Sequence, residues 1–173
     1  QVLLLARDRA GKKPLYWHDD GRRIVFASEL KALLADPSVP REPDSAAIAD
    51  YLTFQYVPAP GSILAGVRKL SAAHYLKCDA NGPRVARYWE LPYETDHSIS
   101  EADAVRELRE RLQDAVRVRL MSDVPLGAFL SGGIDSSAVV ALMTQVSSAR
   151  VKTYSIGFED ADVSELAHAR SVA

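Results

Sequence analysis

Two adjacent glycines separate a strand pattern from a helix pattern in the second half of this sequence. The apolar run 124–130 ends at a Ser-Gly-Gly turn, and residues 136–148 then carry apolar side chains at helical spacing. A second strand pattern covers residues 151–158, and a second helix pattern starts at residue 163. Because strands that alternate with helices pair in parallel through right-handed crossovers, this half predicts a parallel α/β sheet.

The glycine turn has the chemistry of an anion site. Gly132 and Gly133 let the backbone turn at positive φ and let a ligand approach without a Cβ in the way. The first N–H groups of the following helix point into the loop, where the helix dipole favours an anion. Further donors come from the hydroxyl groups of Ser131, Ser136 and Ser137.

A carboxylate takes the place of the usual phosphate-binding lysine in this turn. The loop is therefore no Walker A motif, which requires that lysine. Asp135 next to a phosphate chain makes chemical sense when Mg²⁺ lies between them. The turn predicts a site for a magnesium nucleotide or pyrophosphate. The alternative is an ordinary strand–helix turn with a serine-rich N-cap.

Strand patterns in the first half are short and separated by turns. Asp19-Asp20-Gly21 predicts a hairpin turn, and residues 79–82 predict another. The predicted strands cover residues 1–6, 14–17, 23–27, 74–77 and 84–89.

Three helices are predicted from their N-terminal capping residues. Ser28 is expected to cap a short helix over residues 29–34, and Asp44 a second helix. The clearest helix begins at Ser100, where Asp103 completes a capping box. Its apolar stripe consists of Val105, Leu108, Leu112, Ala115, Val116 and Leu120.

Sequence motifs occur in both halves of the chain. Residues 121–137 read Met-Ser-Asp-Val-Pro-Leu-Gly, Ala-Phe-Leu, Ser-Gly-Gly-Ile-Asp-Ser-Ser. Residues 8–16 read Asp-Arg-Ala-Gly-Lys-Lys-Pro-Leu-Tyr, and residues 26–33 read Phe-Ala-Ser-Glu-Leu-Lys-Ala-Leu. The glycine turn resembles the pyrophosphate loop of ATP pyrophosphatases, and the two earlier motifs resemble those of glutaminase domains. Together they resemble the glutamine-hydrolysing asparagine synthetases, of which the chain is identified as an interior fragment.

The resemblance implies two partial domains of mixed α/β and α+β class. Residues 1–92 would be the C-terminal part of an N-terminal-nucleophile glutaminase domain, a β-rich sandwich of the class II glutamine amidotransferases. Residues 93–99 would be a linker, and residues 100–173 the start of a parallel-sheet α/β ATP pyrophosphatase domain. The family's nucleophile is an amino-terminal cysteine that this chain lacks, and the internal Cys78 has no α-amino group to replace it. We therefore expect structural roles for the motifs of residues 8–33, with Gly11 and Pro14 shaping a turn and Phe26 filling core.

The same resemblance implies a reaction. The parent enzyme would hydrolyse glutamine to ammonia, adenylate aspartate with ATP and Mg²⁺, and amidate the aspartyl-AMP to asparagine, releasing AMP and pyrophosphate. Leu130 and Ile156, at two strand ends, would flank the adenosine. Asp135 would be catalytic through Mg²⁺. The β and γ phosphates would be held by Ser131, Gly132, Gly133, Ser136 and Ser137, and we expect plain helix-surface roles for Glu165 and His168.

Three alternatives stay open at this point. The first two are a parent that resembles a β-lactam synthetase and a parent that resembles an amidotransferase of a polysaccharide cluster, each acting on another carboxylate. The third alternative is a nucleotide-binding fragment without catalytic activity, and we expect the isolated fragment to be inactive.

Composition limits the binding partners and the cellular compartment that we expect for this protein. The net charge of −2 gives no electrostatic case for nucleic acid, and no apolar run approaches the length of a membrane span. The single cysteine fits a reducing cytoplasm. Aspartate and glutamine or ammonia are the expected substrates, and a homodimer of the full-length parent is left open.

Overall fold

Antiparallel strands make up the first half of the chain and a parallel pair lies in the second half. The computed structural model describes residues 2–95, 97–160 and 164–173, and the chain divides into the units Gln1–Tyr93 and Glu94–Ala173. Gln1, Asp96 and Val163, which the sequence analysis placed in the first strand, the linker and the last helix, lie outside the described residues. No helix among those residues is long and apolar enough to cross a membrane.

The first unit contains two three-stranded antiparallel sheets, with strand orders β1-β5-β6 and β3-β2-β4. The strands are β1 (Leu3–Ala6), β2 (Tyr16–Asp19), β3 (Ile24–Ala27), β4 (Val67–Lys69), β5 (His74–Asp79) and β6 (Gly82–Arg87). The helices are α1 (Leu30–Leu33) and α2 (Ser45–Phe54).

Alternation along the strands divides the apolar side chains between two clusters. Leu5 of β1, Trp17 of β2 and Leu76 of β5 form one cluster together with Leu70, so both sheets contribute to it. The second cluster lies on the other face of the β2 sheet and includes Leu33 of α1, Val39 and Val67 of β4. Since neighbouring residues of a strand point to opposite faces, the sheet that contains β2 is buried on both sides.

Several local predictions for this unit are confirmed. The first hairpin turn has Gly21 at φ +81°, and the Asp20 carboxylate accepts the N–H groups of Arg22 and Arg23. Asp44 caps α2 by accepting the N–H groups of Ala46 and Ala47.

Two expectations for the same unit are wrong, and one strand was not predicted. The N-cap of α1 is Glu29, not Ser28, and it makes no side-chain capping bond. Phe26 is 47% exposed rather than part of the core, since it lies near the end of a strand that pairs on one side only. The sequence analysis missed β4, because three residues reading Val-Arg-Lys are too short to show alternation.

The second unit contains α3 (Glu101–Arg119), β7 (Gly127–Phe129), α4 (Ile134–Val146), β8 (Lys152–Tyr154) and α5 (Leu166–Val172). Strands β7 and β8 pair in parallel, as the alternating pattern predicts. Ser100 caps α3 by accepting the N–H of Asp103, and its hydroxyl lies 2.7 Å from the Asp103 carboxylate. The Ser100 cap is therefore confirmed, with the Asp103 carboxylate bonded to the Ser100 hydroxyl where a capping box would bond the Ser100 N–H.

One strand and one helix of this unit begin at residues other than those predicted. Strand β7 begins at residue 127 instead of 124, because Pro125 lacks an N–H and the N–H of Val124 donates to the Ser122 hydroxyl. Helix α4 begins at Ile134, so Ser136 and Ser137 lie within its first turn and a half.

The predicted apolar stripe of α3 is only partly buried. Val116 packs with Leu142 and Met143 of α4, while Val105 and Leu108 are more than half exposed. Only the C-terminal half of α3 therefore anchors the helix to this core.

Candidate nucleotide site

The ends of β7 and β8 are joined by hydrogen bonds at Leu130. The Leu130 N–H donates to the carbonyl oxygen of Tyr154 at 2.8 Å, and the Ser155 hydroxyl donates to the Leu130 carbonyl oxygen at 2.6 Å. The Leu130 side chain is 2% exposed and packs with Val140 and Ala169. Both backbone polar groups of Leu130 are therefore paired, and the glycine loop begins at a buried, hydrogen-bonded residue.

Two of the three predicted hydroxyl donors close the loop upon itself. The hydroxyl oxygens of Ser131 and Ser136 lie 2.9 Å apart, and the Ser136 hydroxyl accepts the Ser131 N–H at 3.3 Å. The Ser136 hydroxyl donates to the Gly133 carbonyl oxygen at 3.2 Å, while the Gly133 N–H donates to the Ser131 hydroxyl at 3.3 Å. These bonds hold the loop against the first turn of α4.

The N-terminus of α4 presents donors that the helix does not use. The first intrahelical bond runs from the Ser137 N–H to the Gly133 carbonyl oxygen at 3.0 Å, so the N–H groups of Ile134, Asp135 and Ser136 precede the helical ladder. The Ser137 hydroxyl is buried and has no hydrogen-bond partner among the described residues. A buried hydroxyl without a partner carries a desolvation cost, which a phosphate oxygen bound here would remove.

Asp135 is exposed in the first turn of α4. In the part of the chain that the structure describes, no three acidic, histidine or cysteine side chains come together as a metal site. Mg²⁺ is commonly held by one or two carboxylates together with substrate phosphates. Asp135 therefore fits a magnesium ion that arrives with a nucleotide, and it does not fit a resident ion in a protein cage.

The two glycines of the loop have different surroundings. Gly132 has φ +86°, and a Cβ built on it would lie 2.5 Å from the Ala169 nitrogen and 2.6 Å from the His168 Cβ. Gly133 has an ordinary φ of −69°, and a Cβ there would meet only the Ser131 hydroxyl oxygen, at 3.4 Å. The positive φ expected of this turn is thus confined to Gly132, which faces α5, and the open side of the loop is at Gly133.

A cleft of about 280 Å³ lies at the carboxyl ends of the two parallel strands. Among the predicted site residues it brings together Leu130, Ser131 and Ile156, the last of which is 72% exposed. Gly132, Gly133, Asp135, Ser136 and Ser137 do not line the cleft but follow Ser131 along the loop and helix. The cleft walls also include Phe129, Tyr154, Ser155, Phe158 and Glu165.

Sequence reasoning left some of these wall residues out of the site. Ser155 directly follows β8, so the rule that ligands bind beyond strand ends points to it. Glu165, expected as a plain helix-surface residue, is the N-cap residue of α5 and lies on the cleft wall. No local pattern marks Glu165, because its place depends on how α5 packs.

The motifs of the first unit make structural contacts. The Arg7 guanidinium donates to the carbonyl oxygens of Gly11, Lys13 and Leu70. The backbone N–H of Lys12 is the main cause that lowers the pKa of Asp8 below its usual value. These contacts hold the Gly11 turn in place and support the structural interpretation of this motif.

Cys78 also makes contacts that suit a structural residue. It lies in β5, is half-buried and packs against the cluster of Leu5 and Leu76. No feature of its surroundings resembles the activated position of a nucleophile.

Comparison with known proteins gives matches in both units. Residues 1–89 match the family model described as glutamine amidotransferase domain, and residues 107–173 match the one described as asparagine synthase. The chain is 37% identical over 166 residues to asparagine synthetase (glutamine-hydrolyzing) 3 of Bacillus subtilis, which covers 93% of this chain and 27% of that protein. It is 36% identical over 172 residues to asparagine synthetase (glutamine-hydrolyzing) 1 of the same organism, covering 99% and 27%.

A relative with a different name also matches. The chain is 36% identical over 155 residues to amidase chry2 of Gibberella zeae, covering 84% of this chain and 22% of that protein. The chain therefore spans about a quarter of the length of these three curated relatives.

Proposed function

Because the chain belongs to the family of glutamine-hydrolysing asparagine synthetases, we propose that its parent enzyme converts aspartate to asparagine with ATP and glutamine-derived ammonia. Residues 1–92 belong in this proposal to the glutaminase domain, residues 93–99 to a linker, and residues 100–173 to the ATP pyrophosphatase domain. The chain by itself supplies part of each domain and no glutaminase nucleophile.

The observation that carries the proposal is the set of unused donors at the glycine loop. The N–H groups that precede the α4 ladder follow the carboxyl end of β7, and next to them lies the buried Ser137 hydroxyl, for which the described part of the chain offers no partner. Donors gathered at a helix N-terminus bind phosphate groups, since the helix dipole adds to their hydrogen bonds. The loop accordingly holds the β and γ phosphates, which leave together as pyrophosphate.

The reaction proceeds in two displacements at this site. A side-chain carboxylate oxygen of aspartate attacks the α-phosphorus of ATP, and the bond between that phosphorus and the bridging oxygen to the β-phosphate breaks. Ammonia then attacks the acyl carbon, loses a proton, and displaces AMP to leave the amide. The intermediate is needed because a free carboxylate is a poor electrophile, whereas AMP is a good leaving group.

The chain's own residues bind and orient ATP in this scheme. Leu130 and Ile156, which both line the cleft at the strand ends, flank the adenosine. Asp135 would hold Mg²⁺ beside the phosphates, and such an ion would supply positive charge to offset the negative charge of the departing pyrophosphate. Ser131 and Ser136 keep the loop closed through their mutual hydrogen bond.

A second candidate function is amidation of a different carboxylate. We keep this candidate because the same phosphate loop would serve any acyl adenylation, and because one relative, amidase chry2, has a name other than asparagine synthetase. The substrate carboxylate is the point at which the two candidates differ.

Exchange of labelled pyrophosphate into ATP tests both candidates in the full-length parent with Mg²⁺. Exchange that depends on aspartate supports the asparagine synthetase reaction. Exchange with another carboxylic acid, and none with aspartate, supports the second candidate. A folded enzyme that shows no exchange with any carboxylate contradicts acyl adenylation altogether.

A further inference from the structure

Helix α5 contacts the phosphate loop at the backbone of Gly132. The side of Gly132 on which a Cβ would lie is filled by the His168 carbonyl carbon, the Ala169 nitrogen and the His168 Cβ. Two of these three atoms are backbone, so rotation of a side chain cannot make room. A distance under 3.0 Å to such atoms requires that the helix or the loop move.

The same helix is anchored beneath the loop by one small side chain. Ala169 is 4% exposed and packs with Leu130, just before the loop, and with Val140, in the helix that follows it. One residue of α5 thus contributes its methyl group to the core under the loop and its nitrogen to the contact with Gly132.

We propose that α5 is a positioning element that clamps the phosphate loop at Gly132, with Ala169 as its positioning residue. This inference rests on the proposed function, since it assigns the clamp to the ATP site. It also changes the role of the first loop glycine, which is needed for close contact with α5 and not for the approach of the ligand.

The conformational freedom of Gly132 is the reason why the loop needs such a contact. A glycine at φ +86° is under no steric compulsion to stay there, because glycine reaches positive and negative φ about equally well. The hydrogen bonds between Ser131 and Ser136 close the loop on one side. Packing of α5 against Gly132 on the other side restricts the remaining freedom, so the donors are preorganised before ATP arrives.

Two alanine-to-glycine variants of the full-length parent test the clamp. Ala169→Gly removes the buried methyl group, whereas Ala167→Gly makes the same backbone change at an exposed position of the same helix. We expect Ala169→Gly to raise the KM for ATP about tenfold, with the KM for aspartate unchanged, because a shifted loop misplaces phosphate donors. Ala167→Gly should leave both constants at the wild-type value.

Comparing the change in KM for ATP with the change in kcat distinguishes a displaced phosphate loop from a smaller fraction of folded enzyme. A fall in kcat at an unchanged KM for ATP in Ala169→Gly overturns the proposal, because it reports fewer active molecules with intact loops. An equal rise in the KM for ATP in both variants also overturns it, since the cause would then be general loosening of α5.

Hydrogen exchange of the ATP-free enzyme tests the clamp without any catalytic readout. Gly132→Ala should speed exchange of the α5 amides about tenfold or more, while Gly133→Ala leaves them at the wild-type rate, since only the first added Cβ strikes α5. Equal α5 exchange in both variants and the wild type contradicts the clamp. A wild-type enzyme without pyrophosphate exchange contradicts the proposed function alone, because the α5 exchange rates still decide the clamp.

Discussion

Replacing Ser137 with alanine should stabilise the nucleotide-free protein and weaken ATP binding at the same time. The Ser137 hydroxyl is buried without a partner among the described residues, and such a group costs about 1–3 kcal/mol. Alanine also has a helix propensity better than that of serine by roughly 0.5 kcal/mol. The two terms have the same sign, so the free energy of local unfolding of α4 should rise by about 1.5–3.5 kcal/mol.

The neighbouring serine provides a matched control with the opposite sign. The Ser136 hydroxyl bonds the Ser131 N–H, the Ser131 hydroxyl and the Gly133 carbonyl oxygen. Ser136→Ala loses these bonds, each worth about 1 kcal/mol net, which outweighs the gain in helix propensity. Adjacent serines of one helix turn should therefore shift stability in opposite directions.

Hydrogen exchange with mass spectrometry of residues 130–146, without nucleotide, measures these shifts locally. Since 1.4 kcal/mol corresponds to tenfold, we expect exchange of the α4 amides to slow by about tenfold or more in Ser137→Ala and to speed up by about tenfold or more in Ser136→Ala. Calorimetric titration should show ATP binding roughly 10–100-fold weaker in Ser137→Ala, because a hydrogen bond to a charged phosphate is worth about 1.5–3 kcal/mol. Faster exchange in Ser137→Ala, or an unchanged ATP affinity, would refute the assignment of this hydroxyl to a phosphate.

Three further substitutions have expected outcomes. Asp135→Asn should reduce pyrophosphate exchange in the full-length parent about 10²-fold, while stability without nucleotide stays within about 0.5 kcal/mol, as its carboxylate is exposed; near-normal exchange removes Asp135 from the mechanism. Cys78→Ser should leave the glutaminase rate of the parent intact and lower the free energy of unfolding by about 1 kcal/mol, because Cys78 packs against a core cluster; loss of the glutaminase rate contradicts its structural role. The pKa of Asp8 is lowered from 3.8, chiefly by the Lys12 N–H, so its stabilisation is present above that value and lost as the pH falls through the lower folded-state pKa. Urea titrations of Asp8→Asn should accordingly show a shallower loss of stability than wild type between about pH 4 and pH 2, and equal slopes would show that this carboxylate carries no stability.

Local patterns were enough to predict most helices and strands of this chain. The Asp44 cap, the Ser100 cap and the Gly21 turn depend on contacts between residues a few positions apart, which a sequence displays directly. Predictions of burial were less successful. Val105 and Leu108 follow helical spacing yet stay exposed, because burial depends on what packs against a face and not on its periodicity.

In the candidate site, too, local backbone features were predictable from the sequence and tertiary contacts were not. The sequence by itself determined the order of strand, glycine turn and helix, because backbone conformation there follows from neighbouring residues. With that order it determined that Ser131 lies on the loop and that Asp135 and Ser137 lie at the start of α4. Only the three-dimensional structure decided that Ser136 bonds the loop while the Ser137 hydroxyl has no partner among the described residues, and that Gly132 faces α5. Adjacent serines give no sign in the sequence of which neighbour each will meet, and the contact of Gly132 joins segments that are far apart in the chain.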